Sequence, residues 1–161
     1  MPLAKYIVMK QIPWLYIILL ICPLTNGCSY SSEPSDRTAL ESTFKEEFQF
    51  DAPKGIPIKV KEIRVGDAWR IWVVLSGDAK LFDKIKSKGL KAAEVSKLVE
   101  DDLFGNVNVP PWWPKRLPEK LKSIYCDDNR SNSNGNPNGT YSYCWMDDEK
   151  GEIYWLRAVW Q

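Results

Sequence analysis

The chain has 161 residues, 44% of them hydrophobic and 27% charged, with 22 Lys and Arg against 21 Asp and Glu for a net charge of +1. This is the composition of one ordinary globular domain plus extras, and the even charge balance gives no basic stripe with which to hold nucleic acid. Histidine is absent, which removes the commonest general base and the commonest zinc ligand, and no phosphate-loop or dinucleotide fingerprint occurs, so neither a cofactor nor a metal is expected.

The first segment reads as an export signal. Lys5 and Lys10 carry positive charge, and no further charged residue follows until Glu33. Between them Ile12 to Leu24 is almost wholly apolar, a run of 13 residues. A membrane-spanning helix needs about 20 apolar residues, so the run suits a cleaved signal peptide better. Pro23 would break a helix just ahead of the cleavage point.

The segment ends Leu24-Thr25-Asn26-Gly27-Cys28. It resembles the lipobox of bacterial lipoproteins, in which a small residue precedes a cysteine that is acylated and becomes the mature N-terminus. Gly27 and Cys28 match that pattern; Leu24 stands one place further out than the usual leucine, and Asn26 departs from it. The resemblance implies cleavage after residue 27, a lipid anchor on Cys28, and a protein held to a membrane facing the periplasm. Ser29, standing where aspartate would mark inner-membrane retention, implies the outer membrane. Residues 28–36 are polar and contain a proline, the composition of a flexible tether, and residues 37–161 remain as a single domain.

Within that domain Leu40, Phe44 and Phe48 recur every four residues and predict a helix capped by Asp36. Ile56, Ile58 and Val60 alternate as in a half-buried strand. The apolar phase then switches at Ile63 and Val65, which predicts a bulge or twist near Glu62. Gly66-Asp67 suits a tight hairpin turn into a second strand, Ala68 to Leu75. Two helical stripes follow: Leu81, Phe82 and Ile85, ending near Gly89, and then Val95, Leu98, Val99 and Leu103. Four prolines make residues 106–118 an irregular connector. Short strands at 123–126, 140–146 and 152–160 complete the chain, with a turn at 148–151. The order of strands, helices and strands predicts an α+β domain, with a mostly antiparallel sheet and the helices packed on one face.

Cysteine use agrees with export. Cys22 lies in the removed segment and Cys28 takes the lipid, which leaves Cys126 and Cys144 as one pair. In an oxidising compartment they are expected to form a disulfide worth roughly 3 kcal/mol. It would staple the strands around residues 127–140, a stretch without an apolar side chain that is not expected to order itself.

Tryptophan is abundant. Trp69, Trp145 and Trp155 are expected in the core. Trp112 and Trp113 sit side by side among prolines, and they either cover an open end of the core or form an exposed binding platform. Acids cluster at Glu100-Asp101-Asp102, Asp127-Asp128 and Asp147-Asp148-Glu149, but adjacency in sequence does not place two carboxyl groups across a cleft, and no catalytic residue is assigned. The expectation is a non-enzymatic envelope module that binds another envelope protein or a cell-wall glycan, as an assembly factor or inhibitor. The alternative is a small carboxylate-dependent hydrolase acting on cell-wall glycans.

Overall fold

The computed structural model describes residues 29–105, 108–121, 123–133 and 136–160. The stretch read as an export signal and Cys28 lie outside them. The chain runs β1 (Ser29–Ser32), α1 (Arg37–Phe48), β2 (Ile58–Val65), β3 (Ala68–Ser76), α2 (Ala79–Lys86), β4 (Lys91–Ala93), α3 (Lys97–Phe104), β5 (Ile124–Asp128), β6 (Ser131–Ser133), β7 (Asn136–Asp147) and β8 (Glu152–Trp160). Seven strands form one antiparallel sheet in the order β1-β2-β3-β8-β7-β5-β4, and β6 adds a short ladder to β7. The α+β class and the antiparallel sheet are as expected.

The helices do not share one face. Leu40, Phe44 and Phe48 of α1 and Ile85 of α2 pack with Ile58, Val60, Ile71, Val73, Leu75, Cys144, Ile153 and Trp155. On the other face Val99 and Leu103 of α3, with Trp113, cover Trp72, Val74, Ile124, Tyr141, Tyr143, Trp145, Tyr154 and Leu156. A sheet buried on both sides needs apolar residues at successive positions, which is why β3 reads as a continuous apolar run. The same fact removes the bulge expected near Glu62. β2 and β3 pair without interruption from Ile58↔Leu75 to Val65↔Ala68. Ile58 and Val60 serve one face and Ile63 the other, so the apolar phase changes face without a change of register.

Local signals set the ends of the elements. The Asp36 carboxylate accepts from the backbone N–H of Ala39 at 2.9 Å and starts α1, which stops at Gln49 in the left-handed region. Asp78 and Ser96 cap α2 and α3 in the same way. Because α3 begins at Lys97, Val95 lies before the helix and Leu98 on its outer side, and both are exposed. Gly66 takes φ 58 at the first central position of the β2–β3 turn, where a side chain would be strained.

Three further expectations change. Ser29–Ser32, read as tether, is paired to β2 as an edge strand. The polar stretch after Cys126 does pair, as β6 against the start of β7. Cys126 and Cys144 are free thiols and form no disulfide. Cys126 is opposite Tyr143 and Cys144 opposite Tyr125, one residue out of step. Side chains alternate between faces along a strand, so the two sulfurs point to opposite sides of the sheet and cannot meet.

Candidate functional site

The chain after Trp113 forms one wall of a cleft of about 960 Å³. Ala79, Phe82, Asp83 and Lys86 of α2 form the facing wall. The segment from Pro114 to Leu121 closes the other side, and Tyr125, Met146 and Tyr154 contribute from the sheet. The turn at 147–150 forms the rim. The cleft wraps around the end of the sheet, since Phe82, Tyr125 and Met146 belong to the α1–α2 side while Leu117, Leu121 and Tyr154 belong to the α3 side.

Its aromatic wall is held by cations. The Lys86 ammonium lies 4.7 Å from the Phe82 ring centroid and 4.6 Å from that of Tyr125, and pairs with Asp83 at 2.7 Å. The bond to Asp83, with smaller help from Tyr125, raises the Lys86 pKa against its partial burial. The two rings meet edge-on at 5.6 Å. At the rim Lys120 reaches across to Glu149 at 3.3 Å, linking the Pro114–Leu121 segment to the β7–β8 turn. That turn is built on Asp147, whose buried carboxylate accepts from the backbone N–H groups of Glu149 and Lys150 and pairs with the Lys150 ammonium. Charges of both signs therefore surround an interior that contains Phe82, Tyr125 and Tyr154.

Trp112 and Trp113 differ in placement. Trp113 is only 3% exposed, its indole N–H donates to the Leu103 carbonyl at 3.2 Å, and its ring stands edge-on to Trp145 at 5.2 Å and to Tyr154 at 5.6 Å. It is a core cover, and the platform reading fails for it. Trp112 is half-buried against it. Trp113 nevertheless positions the cleft: it holds Tyr154, stacked on Trp145 with 5° between ring planes, and it fixes the start of the 114–121 wall. Trp145 and Trp155 are core residues as expected, and Trp69 packs at the core's margin.

The acids separate by role. Asp102 and Asp128 are joined through Arg130, whose guanidinium bonds to Asp102 at 2.8 Å and forks onto Asp128. The Tyr143 hydroxyl donates to the same Asp102 oxygen at 2.7 Å, and Arg130 also lies 4.5 Å over the Tyr141 ring. The bonds from Arg130 hold the Asp128 carboxyl below its ordinary range, while burial and the bond to Asp102 push the Tyr143 phenol up. This clamp ties α3 to the β5–β6 connection, and the sequence reading missed it. Its only trace is a lone arginine between two acid clusters and a polar stretch. Glu47 was also missed. It accepts from the Trp155 indole at 3.2 Å on the α1 face, and burial raises its pKa.

Among the described residues no three acids or cysteines converge as metal ligands. No family model, curated protein or solved structure matches the chain.

Proposed function

We propose that this chain is a bacterial envelope lipoprotein: exported, cut before Cys28, anchored by a lipid on that cysteine with its domain facing the periplasm, and acting as a non-enzymatic binding module. Its contact site is the cleft between α2 and the Pro114–Leu121 segment, and its partner is an envelope protein or a cell-wall component that it helps assemble or holds inactive.

One observation carries this reading. Ser29 pairs with Val65 at one end of the sheet, whereas the cleft is built on the turn after Asp147 at the other. β3 spans that distance with nine residues, roughly 27–30 Å. A chain anchored at the first end presents the second away from the membrane. The cleft's aromatic residues and charges of both signs suit polar, hydrogen-bonding partners with apolar faces. Each of Asp83, Glu119, Asp147 and Glu149 is ion-paired, which supports binding over proton transfer.

The test is site-specific photo-crosslinking of the full chain in its host. A photoreactive residue in place of Lys115, in the cleft wall, is expected to capture one envelope component; the same residue in place of exposed Lys59 is not. Equal capture from both positions, or none from Lys115, overturns the assignment of the cleft. Intact mass of the membrane fraction tests the anchor separately: a chain beginning at Cys28 with acyl mass added is expected, and a chain retaining Met1 overturns it.

A further inference from the structure

We infer that the corner of the sheet formed by β1 and the β2–β3 hairpin is a membrane-contact surface, seated in the headgroup layer of the bilayer that holds the anchor. The inference rests on the proposed lipid at Cys28.

Three observations lead to it. The first is reach. Ser29, which directly follows the proposed lipidation site in sequence, is paired with Val65 at the hairpin end. With Ser29–Ser32 held in the sheet, little free chain separates the anchor from the corner, and the corner cannot stand far from the lipid.

The second is composition. Among the described residues four large apolar side chains are exposed, and two of them, Tyr30 at 57% and Val65 at 51%, stand at this corner. Beside them is a hollow of about 360 Å³ whose lining is apolar apart from Arg70 and Asn108. A tyrosine and a tryptophan, Trp69, at one edge with arginines alongside is the side-chain set that partitions to the boundary between headgroups and acyl chains.

The third is shape. Paired residues share a face, so Tyr30, Arg64, Trp69 and Val159 lie on the α1 side and Ile63, Val65 and Ala68 on the other. A protein docking on one face would leave the opposite apolar side chains in water. A bilayer surface surrounds an inserted corner from both sides. The exposed Asp67 at the hairpin tip limits the depth, since a carboxylate does not enter the acyl region, and this places the contact among the headgroups.

The experiment uses the full, lipidated chain on vesicles of phosphatidylethanolamine and phosphatidylglycerol containing a headgroup nitroxide lipid. A fluorophore is attached at Asp67→Cys in a Cys126→Ser background, and quenching is compared with and without the added pair Tyr30→Ser and Val65→Ser. Both residues are exposed, so the fold is kept. The expected result is that both proteins float with the vesicles, while the serine pair loses several-fold in quenching. Equal quenching in the two floating proteins shows a corner that is merely tethered and overturns the inference alone. Failure to float removes the anchor reading and the inference with it. Self-quenching that rises with protein density on the vesicle points to a second copy at the corner and overturns the membrane assignment.

Discussion

Cys126 and Cys144 stand on neighbouring strands one residue out of step, so that one thiol enters the aromatic layer under α3 and the other the core under α1 and α2. Burial pushes both thiols above their ordinary pKa, with Asp128 and Asp127 adding to it at Cys126. Neither is set up to react quickly, because the nucleophile is the thiolate.

The intact mass of the protein is therefore expected to stay the same on reduction. Alkylation should reach Cys144 only after unfolding, while half-exposed Cys126 reacts slowly in the native state. Cys144→Ser places a hydroxyl among apolar side chains and should cost about 1–3 kcal/mol, against less than about 0.5 kcal/mol for Cys126→Ser. A gain of two hydrogens on reduction would mean that β5 pairs with β7 in a register shifted by one.

Arg130 holds together groups that are far apart in sequence. Its partner Asp102 is 14% exposed, so removing the arginine leaves a largely buried carboxylate without its cation. Arg130→Ala is expected to lower stability by about 2–3 kcal/mol, below the range for fully buried pairs because both side chains keep some contact with water. Adding Asp102→Asn should restore part of the loss, and denaturant melts of the two single variants and the double read the coupling directly. Additive losses would show that the clamp contributes little as a unit.

Trp113→Ala removes a buried ring that three other aromatic rings touch, and should cost about 3–5 kcal/mol. Trp112→Ala should cost well under half of that, since its ring is only partly buried, at the margin of the core. Thermal melts of the two variants separate a core cover from a contact residue. Comparable small losses would return both tryptophans to the surface.

The elements legible in the sequence are those whose signal is local. Asp36 with Leu40, Phe44 and Phe48 marks α1, and Gly66-Asp67 marks its hairpin, because caps, helical spacing and turn glycines act within a few residues. What escaped depends on partners distant in the chain. The side of the sheet taken by α3 and the one-residue offset between the cysteines are properties of pairing, and a strand's own alternation does not reveal its register. Arg130 is fixed at the head of a polar stretch through acids 28 residues before it and two residues before it, partners that composition alone does not reveal. The two tryptophans among prolines lead into one wall of the cleft, but the cleft itself lies beside them, where no single residue type announces it.

Glu47 offers a pH test with a defined sign. Its carboxylate is 6% exposed on α1, accepts from the Trp155 indole, and lies 3.8 Å from the Arg157 guanidinium, at the long end of ion-pair distances. Burial raises its pKa, and the pull of Arg157 and the bond from Trp155 offset this only in part. The folded protein thus binds this proton more tightly than the unfolded chain. The stability this supplies is fully present below the ordinary glutamate value and is lost as pH rises through the folded value. Glu47→Gln keeps an oxygen for the Trp155 N–H and removes the buried charge. Its melting temperature is expected to exceed that of the unaltered protein at pH 7.5, with the gap closing as pH falls well below the ordinary glutamate value, where Glu47 carries its proton in both states. Glu47→Ala, which strands the indole N–H and opens a void, should melt lower across the whole range, by roughly 2–6 °C for each kcal/mol lost. A Gln variant that melts lower at pH 7.5 would show that the attraction to Arg157 outweighs burial.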